Sequence, residues 1–95
     1  MSNDEQDFSD TLNTAIKCHE SGDIAGAESI YRNLLKSNPK HPAPNYYLGI
    51  LALQTKNFES AIKILDYVLT LKPDFPEAFY NKGNALSALG KLGPA

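Results

Sequence analysis

The chain has 95 residues, a formal net charge of -2 and 42% hydrophobic residues. That length suits one small domain with little room for a deep catalytic cavity, and the mild acidity argues against a nucleic-acid partner, whose phosphates call for a basic face. A single cysteine, Cys18, excludes an internal disulfide, and no apolar run reaches the roughly 18 residues of a membrane span.

The chain opens on "MSNDEQDFSD", acidic and polar. It lacks the cationic-then-apolar layout of a secretory signal. Residues 1–7 are expected as a disordered tail, and a soluble cytoplasmic protein is the expectation. A first helix is expected over about 8–20, followed by the turn "ESGD", where Gly22 suits a positive φ and Asp23 suits an N-cap. A second helix runs from there to about Ser37 and stops at "NPKHP". A third helix starts at Pro42, with Leu48, Leu51, Ala52 and Thr55 on one face. "TKN" interrupts, with Asn57 as the expected N-cap of a fourth helix carrying Ala61, Leu65 and Val68 at helical spacing. "KPDFP" ends it, because Pro73 disfavours helix in Lys72. Pro76 opens a fifth helix over about 76–89. Tyr31, Phe58, Tyr67 and Phe75 read as packing residues of the core and its turns. No alternation of strand type competes with this reading.

The joints "NPKHPAPNYYLG" (38–49) and "KPDFPEAFYNKG" (72–83) agree at Pro39/Pro73, Pro42/Pro76, Tyr46/Tyr80 and Gly49/Gly83, each pair at an offset of 34 in the numbering. Ala27, Ala61 and Ala95 coincide at the same period, as do Ala15, Gly49 and Gly83. These residues, with Leu48, Leu65 and Pro73, make the chain resemble the tetratricopeptide repeat (TPR) family over about 8–95. The place where that family carries Trp is filled by Thr11, Asn45 and Phe79. The resemblance implies an all-α fold of antiparallel helix-turn-helix repeats stacked as a right-handed α-solenoid. The units would be 8–41, 42–75 and a truncated 76–95. It also implies a concave face lined by the first helix of each unit.

On that face the resemblance places Asn13, Tyr46, Tyr47, Tyr80, Asn81 and Asn84 as peptide-binding residues. Asn13, Tyr47 and Asn81 fall in one column, and an amide column can hydrogen-bond an extended peptide. The stretch "AFYNKGNALSALGK" (78–91) resembles repeats of the O-linked N-acetylglucosamine transferase type, with Tyr47 interrupting the asparagine ladder. The lysines and arginines of a carboxylate clamp for chaperone C-termini are missing from the matching places, and Glu77 would repel a carboxylate.

Catalytic signals are weak. Cys18 and His19 are adjacent and so point about 100° apart on a helix. Cys18 reads as a small core residue, and His41 as a solvated turn residue. Neither histidine has metal-ligand spacing, and no cofactor is expected. The expected function is a non-catalytic scaffold for a protein or an extended peptide. The alternative is the substrate-presenting arm of a larger glycosyltransferase, sulfotransferase or methyltransferase. Phe79, Leu86 and Leu89 lack a partner helix in this reading, so the C-terminal helix is expected to self-associate.

Overall fold

The computed structural model describes residues 4–92, all of whose regular structure is helical. The helices are α1 (Asp4–Glu20), α2 (Ile24–Ser37), α3 (Pro42–Gln54), α4 (Phe58–Leu71) and α5 (Pro76–Leu92). The stretch expected as a tail over 1–7 is helical from Asp4 onward, and residues 1–3 lie outside the described residues. Likewise α5 runs to Leu92 rather than Leu89, while Ala95 also lies outside the described residues. Each helix packs on the next in chain order, and α3 also touches α5. This is the pattern of stacked antiparallel helix pairs. Extents of 58 × 29 × 19 Å and a radius of gyration of 14.1 Å describe an elongated body. A compact domain of this length would have about 12 Å.

The turns follow from local chemistry. Gly22 sits at φ +92, where only glycine is unstrained. Asp23 then caps α2, its Oδ1 accepting from the Gly26 N–H at 3.0 Å. The second unit copies the backbone with different residues: Lys56, one repeat period after Gly22, also takes a positive φ of 64. Asn57 stands at the N-cap place but makes no capping bond, and its Nδ2 donates instead to Thr55 Oγ1. Asn45, at the family's Trp place, is buried and donates to the carbonyls of Pro39 and His41 at 3.1 and 2.8 Å. It therefore fastens the turn between units rather than filling a core.

The core is gathered at the two joints between units. Ala15, Ala27, Tyr31, Leu48 and Leu51 form one cluster, and Leu65, Val68 and Ala78 form the next. Full burial of a side chain such as Leu65 or Val68 contributes about 1.5–3 kcal/mol. Cys18 is half-buried and packs on the first cluster, as expected of a small core residue. Tyr67, expected inside, is 41% exposed.

The small residues behave differently in the two units. A Cβ on Gly49 would lie 3.0 Å from Leu65 Cδ2 and 3.1 Å from its Cγ. Leu65 is itself fully buried, so a shift of its side chain would disturb the packing around it. A Cβ on Gly83 would meet nothing within 4 Å. Gly49→Ala is therefore expected to destabilise by about 1 kcal/mol, overpacking outweighing the gain in helix propensity. Gly83→Ala should stabilise by about 0.5–1 kcal/mol. Urea midpoints of the two variants check this, and a shift in the same direction for both would contradict it.

Candidate peptide-binding groove

The first helices α1, α3 and α5 share one face, and two hydrogen bonds cross it. His19 Nε2 of α1 lies 2.6 Å from Gln54 Oε1 of α3. Asn81 Nδ2 of α5 donates to the Tyr46 hydroxyl of α3 at 3.0 Å. Both pairs are 35 residues apart in the chain, one repeat period plus one.

Aromatic rings make the floor. Tyr47 stacks on Tyr31 at 5.5 Å between centroids and 7° between planes. Tyr46 stands edge-on to Tyr47 at 5.4 Å and tilts against Phe75 at 4.7 Å. Lys72 Nζ lies 4.9 Å from the centre of the Phe75 ring on its face. Ala43, Tyr46, Tyr47, Lys72, Phe75 and Glu77 border a cleft of ≈ 570 Å³. A larger hollow of ≈ 800 Å³, bordered by Phe8, Leu34, Asn38 and His41, contains none of the six expected site residues.

The six residues occupy unequal places. Asn13 and Asn84 are exposed, and Tyr80 is 71% exposed. Tyr46, Tyr47 and Asn81 are half-buried and tied to neighbours. Asn81 also donates to the Glu77 carbonyl at 2.9 Å. In the column of Asn13, Tyr47 and Asn81, the central ring is laid on Tyr31.

Burial governs the titration of these groups. It pushes the Tyr31 hydroxyl up to about 12, helped by Tyr47, Cys18 and Glu20. Tyr31 thus stays a neutral phenol near neutral pH. Gln54 Oε1 accepts from His19 Nε2, and the Tyr31 hydroxyl lies 3.5 Å from His19 Nδ1 on the other side of the ring. Burial also raises Tyr46, with the Glu77 charge and Tyr47 adding to it and the Asn81 hydrogen bond opposing it. Among the described residues no cluster of His, Cys, Asp or Glu could hold a metal.

A family model described as "Tetratricopeptide repeat" matches residues 19–79, well over half of the chain. The chain belongs to the tetratricopeptide repeat family. No curated protein matches it. The TPR fold is generally a protein-interaction module. No helix among the described residues is long and apolar enough to cross a membrane.

Sequence reasoning missed three participants of this TPR face: His19, Tyr31 and His41. For His19 the signal is the spacing of 35 to Gln54, easily overlooked because equivalent residues recur at 34. The sequence marks Tyr31 as core alone, which its burial supports, but its ring also carries Tyr47. His41, expected to be solvated, is half-buried, and its ring stacks on Phe8 at 4.5 Å. Its Nδ1 accepts from the Ala43 N–H at 3.2 Å and so caps α3.

Burial holds His41 below its ordinary 6.5. The unfolded chain therefore takes up this proton at a higher pH than the folded one. Stability is retained above the ordinary value, falls as pH drops through it toward the lowered folded value, and levels off below that. His41→Asn keeps a capping side chain without titrating near neutrality. Melting temperatures measured from about pH 7.5 to about pH 5.5 should fall more steeply for the native chain than for this variant. Parallel curves would show that His41 does not titrate with folding.

Proposed function

We propose that the chain is a protein- or peptide-binding scaffold that holds an extended segment against the face of α1, α3 and α5. Its units are 8–41, 42–75 and a third beginning at Pro76. The observation that carries this reading is the Tyr46–Asn81 hydrogen bond. Asn81 uses its Nδ2 on Tyr46 and on the Glu77 carbonyl, which leaves its Oδ1 as an acceptor. The Tyr46 oxygen accepts from Asn81, which leaves its O–H as a donor. A donor and an acceptor side by side suit the alternating C=O and N–H of an extended backbone. Around them, rigid aromatic rings offer contact area at low entropic cost, and Tyr80 presents the most exposed of these rings.

Selection from a random peptide display library, followed by calorimetry on the enriched peptides, tests this. Tyr46→Phe should weaken binding about fivefold through loss of one donor. Tyr80→Ala and Asn84→Ala change exposed residues and should weaken binding without lowering the melting temperature. Peptides that bind the double variant Tyr47→Ala plus Asn81→Ala undiminished would place the site elsewhere.

A further inference from the structure

The hollow of ≈ 800 Å³ opens between α1 and the end of α2, with His41 at its side. It repeats the groove cleft one unit earlier. Ser9, Asn38 and His41 border the hollow, and their equivalents one period later, Ala43, Lys72 and Phe75, border the cleft. His41 borders both, so the two spaces adjoin at this residue. A segment laid in the groove reaches the hollow by passing one side chain.

The hollow differs from the cleft in running on between the two helices of its own unit, to Thr11 and the buried Leu34. The size of one residue accounts for this. Thr11 stands where the repeat pattern carries Trp, and it is exposed. In α3 the same place holds Asn45, which is buried and bonded to the carbonyls of Pro39 and His41. Threonine is too short to span the gap, so the space beside Leu34 stays open. Both helices that enclose it belong to one helix pair, and His41 of the next unit closes a third side.

The border selects the chemistry. Phe8 and His41 are stacked at 4.5 Å between centroids and 26° between planes, which makes a flat aromatic wall. Among the described residues no lysine or arginine borders the hollow, and Asp7 is its one carboxylate. Burial holds His41 below its ordinary 6.5, so its ring is neutral near neutral pH. An anionic group is therefore disfavoured there. Acceptors are plentiful instead: the Asp7 carboxylate, the Asn38 amide oxygen, and Ser37 Oγ, whose proton goes to the Leu34 carbonyl at 3.2 Å. A large flat ring with a single N–H donor suits both the wall and the acceptors, and indole is such a ring.

We propose that the hollow takes the indole ring of a tryptophan carried by the segment bound in the groove. The inference rests on the groove reading and adds to it the side chain that anchors the segment. The partner's ring enters the gap that Thr11 leaves, against the stacked Phe8 and His41, and buries on the order of 150–250 Å².

Two titrations test the proposal. In the first, N-acetyltryptophanamide is added to the 95-residue chain and followed through backbone amide chemical shifts. The expected shifts centre on Thr11, Ser37, Asn38 and His41, with a dissociation constant on the order of 1 mM. N-acetylleucinamide and the anionic N-acetyltryptophan should each bind at least threefold more weakly. Thr11→Trp should raise the melting temperature, because its own ring enters the hollow, and should abolish the shifts. The shift pattern of the native chain stands by itself if that variant fails to fold. In the second titration, library peptides that depend on Tyr47 and Asn81 are measured against Thr11→Trp. These peptides should carry a tryptophan, and either Thr11→Trp in the chain or Trp→Ala in the peptide should weaken binding at least tenfold. No shifts up to about 20 mM probe, or shifts centred on Tyr46 and Tyr47, overturn the inference. So do groove-dependent peptides that lack tryptophan or bind Thr11→Trp undiminished, and the groove then stands without the anchor. Peptides weakened by Thr11→Trp but not by the double change Tyr47→Ala plus Asn81→Ala support the hollow and sink the groove.

Discussion

Tyr31 sits in α2 with no surface left to solvent, its ring lies on Tyr47 of α3, and its hydroxyl faces His19 of α1. A single side chain therefore joins both helices of its own unit to the first helix of the next. Burying an aromatic of this size is worth several kcal/mol, and truncating one costs about 3–5 kcal/mol. A small domain has only about 5–15 kcal/mol in total. The contact between the first two units thus rests heavily on this ring. His19 extends the same contact to the groove edge through Gln54.

The second joint solves the same problem with other residues. Leu65 occupies the place of Tyr31, one period later, and is equally buried. An aliphatic side chain offers no ring for the next helix to stack on, and Asn81 stands at the place equivalent to Tyr47. The polar amide then turns to the Tyr46 hydroxyl, while Tyr46 leans on Phe75. Lys82 and Asp66 add an ion pair on the same joint, half-exposed and so of small value. Tyrosine goes with tyrosine at one joint and leucine with asparagine at the other. At the place where the asparagine column is interrupted, Tyr47 packs on Tyr31.

Much of the architecture is legible in the sequence because it is local. Pro42 and Pro76 open helices, Asp23 caps one, and Gly22 takes the positive φ, each decided within a few residues. The start of α1 is not legible, because residues 4–7 carry no apolar period to announce a helix. Asn57 departs from its expected role because the shape of a cap site does not fix where an amide donates; Thr55 Oγ1 competes for it. His41 departs from its own because its environment comes from Phe8, at the other end of the unit, and no turn rule contains that neighbour.

The groove is legible by element but not by contact. Equivalent residues recur at 34, so a sequence comparison groups Asn13 with Tyr47 and Asn81. Contacts across the face run at 35, because neighbouring first helices meet with an offset of one position. Equivalence and adjacency are thus different relations in a repeat fold. The first marks which positions build the solenoid, such as Ala27 and Ala61, both fully buried. The second marks which side chains act together, such as Tyr46 with Asn81. Under the proposed function, ligand specificity belongs to the second kind, since a segment laid across the helices would meet neighbouring side chains and not equivalent ones. The donor and acceptor that Tyr46 and Asn81 present as a pair exist only because α3 and α5 are joined in that register.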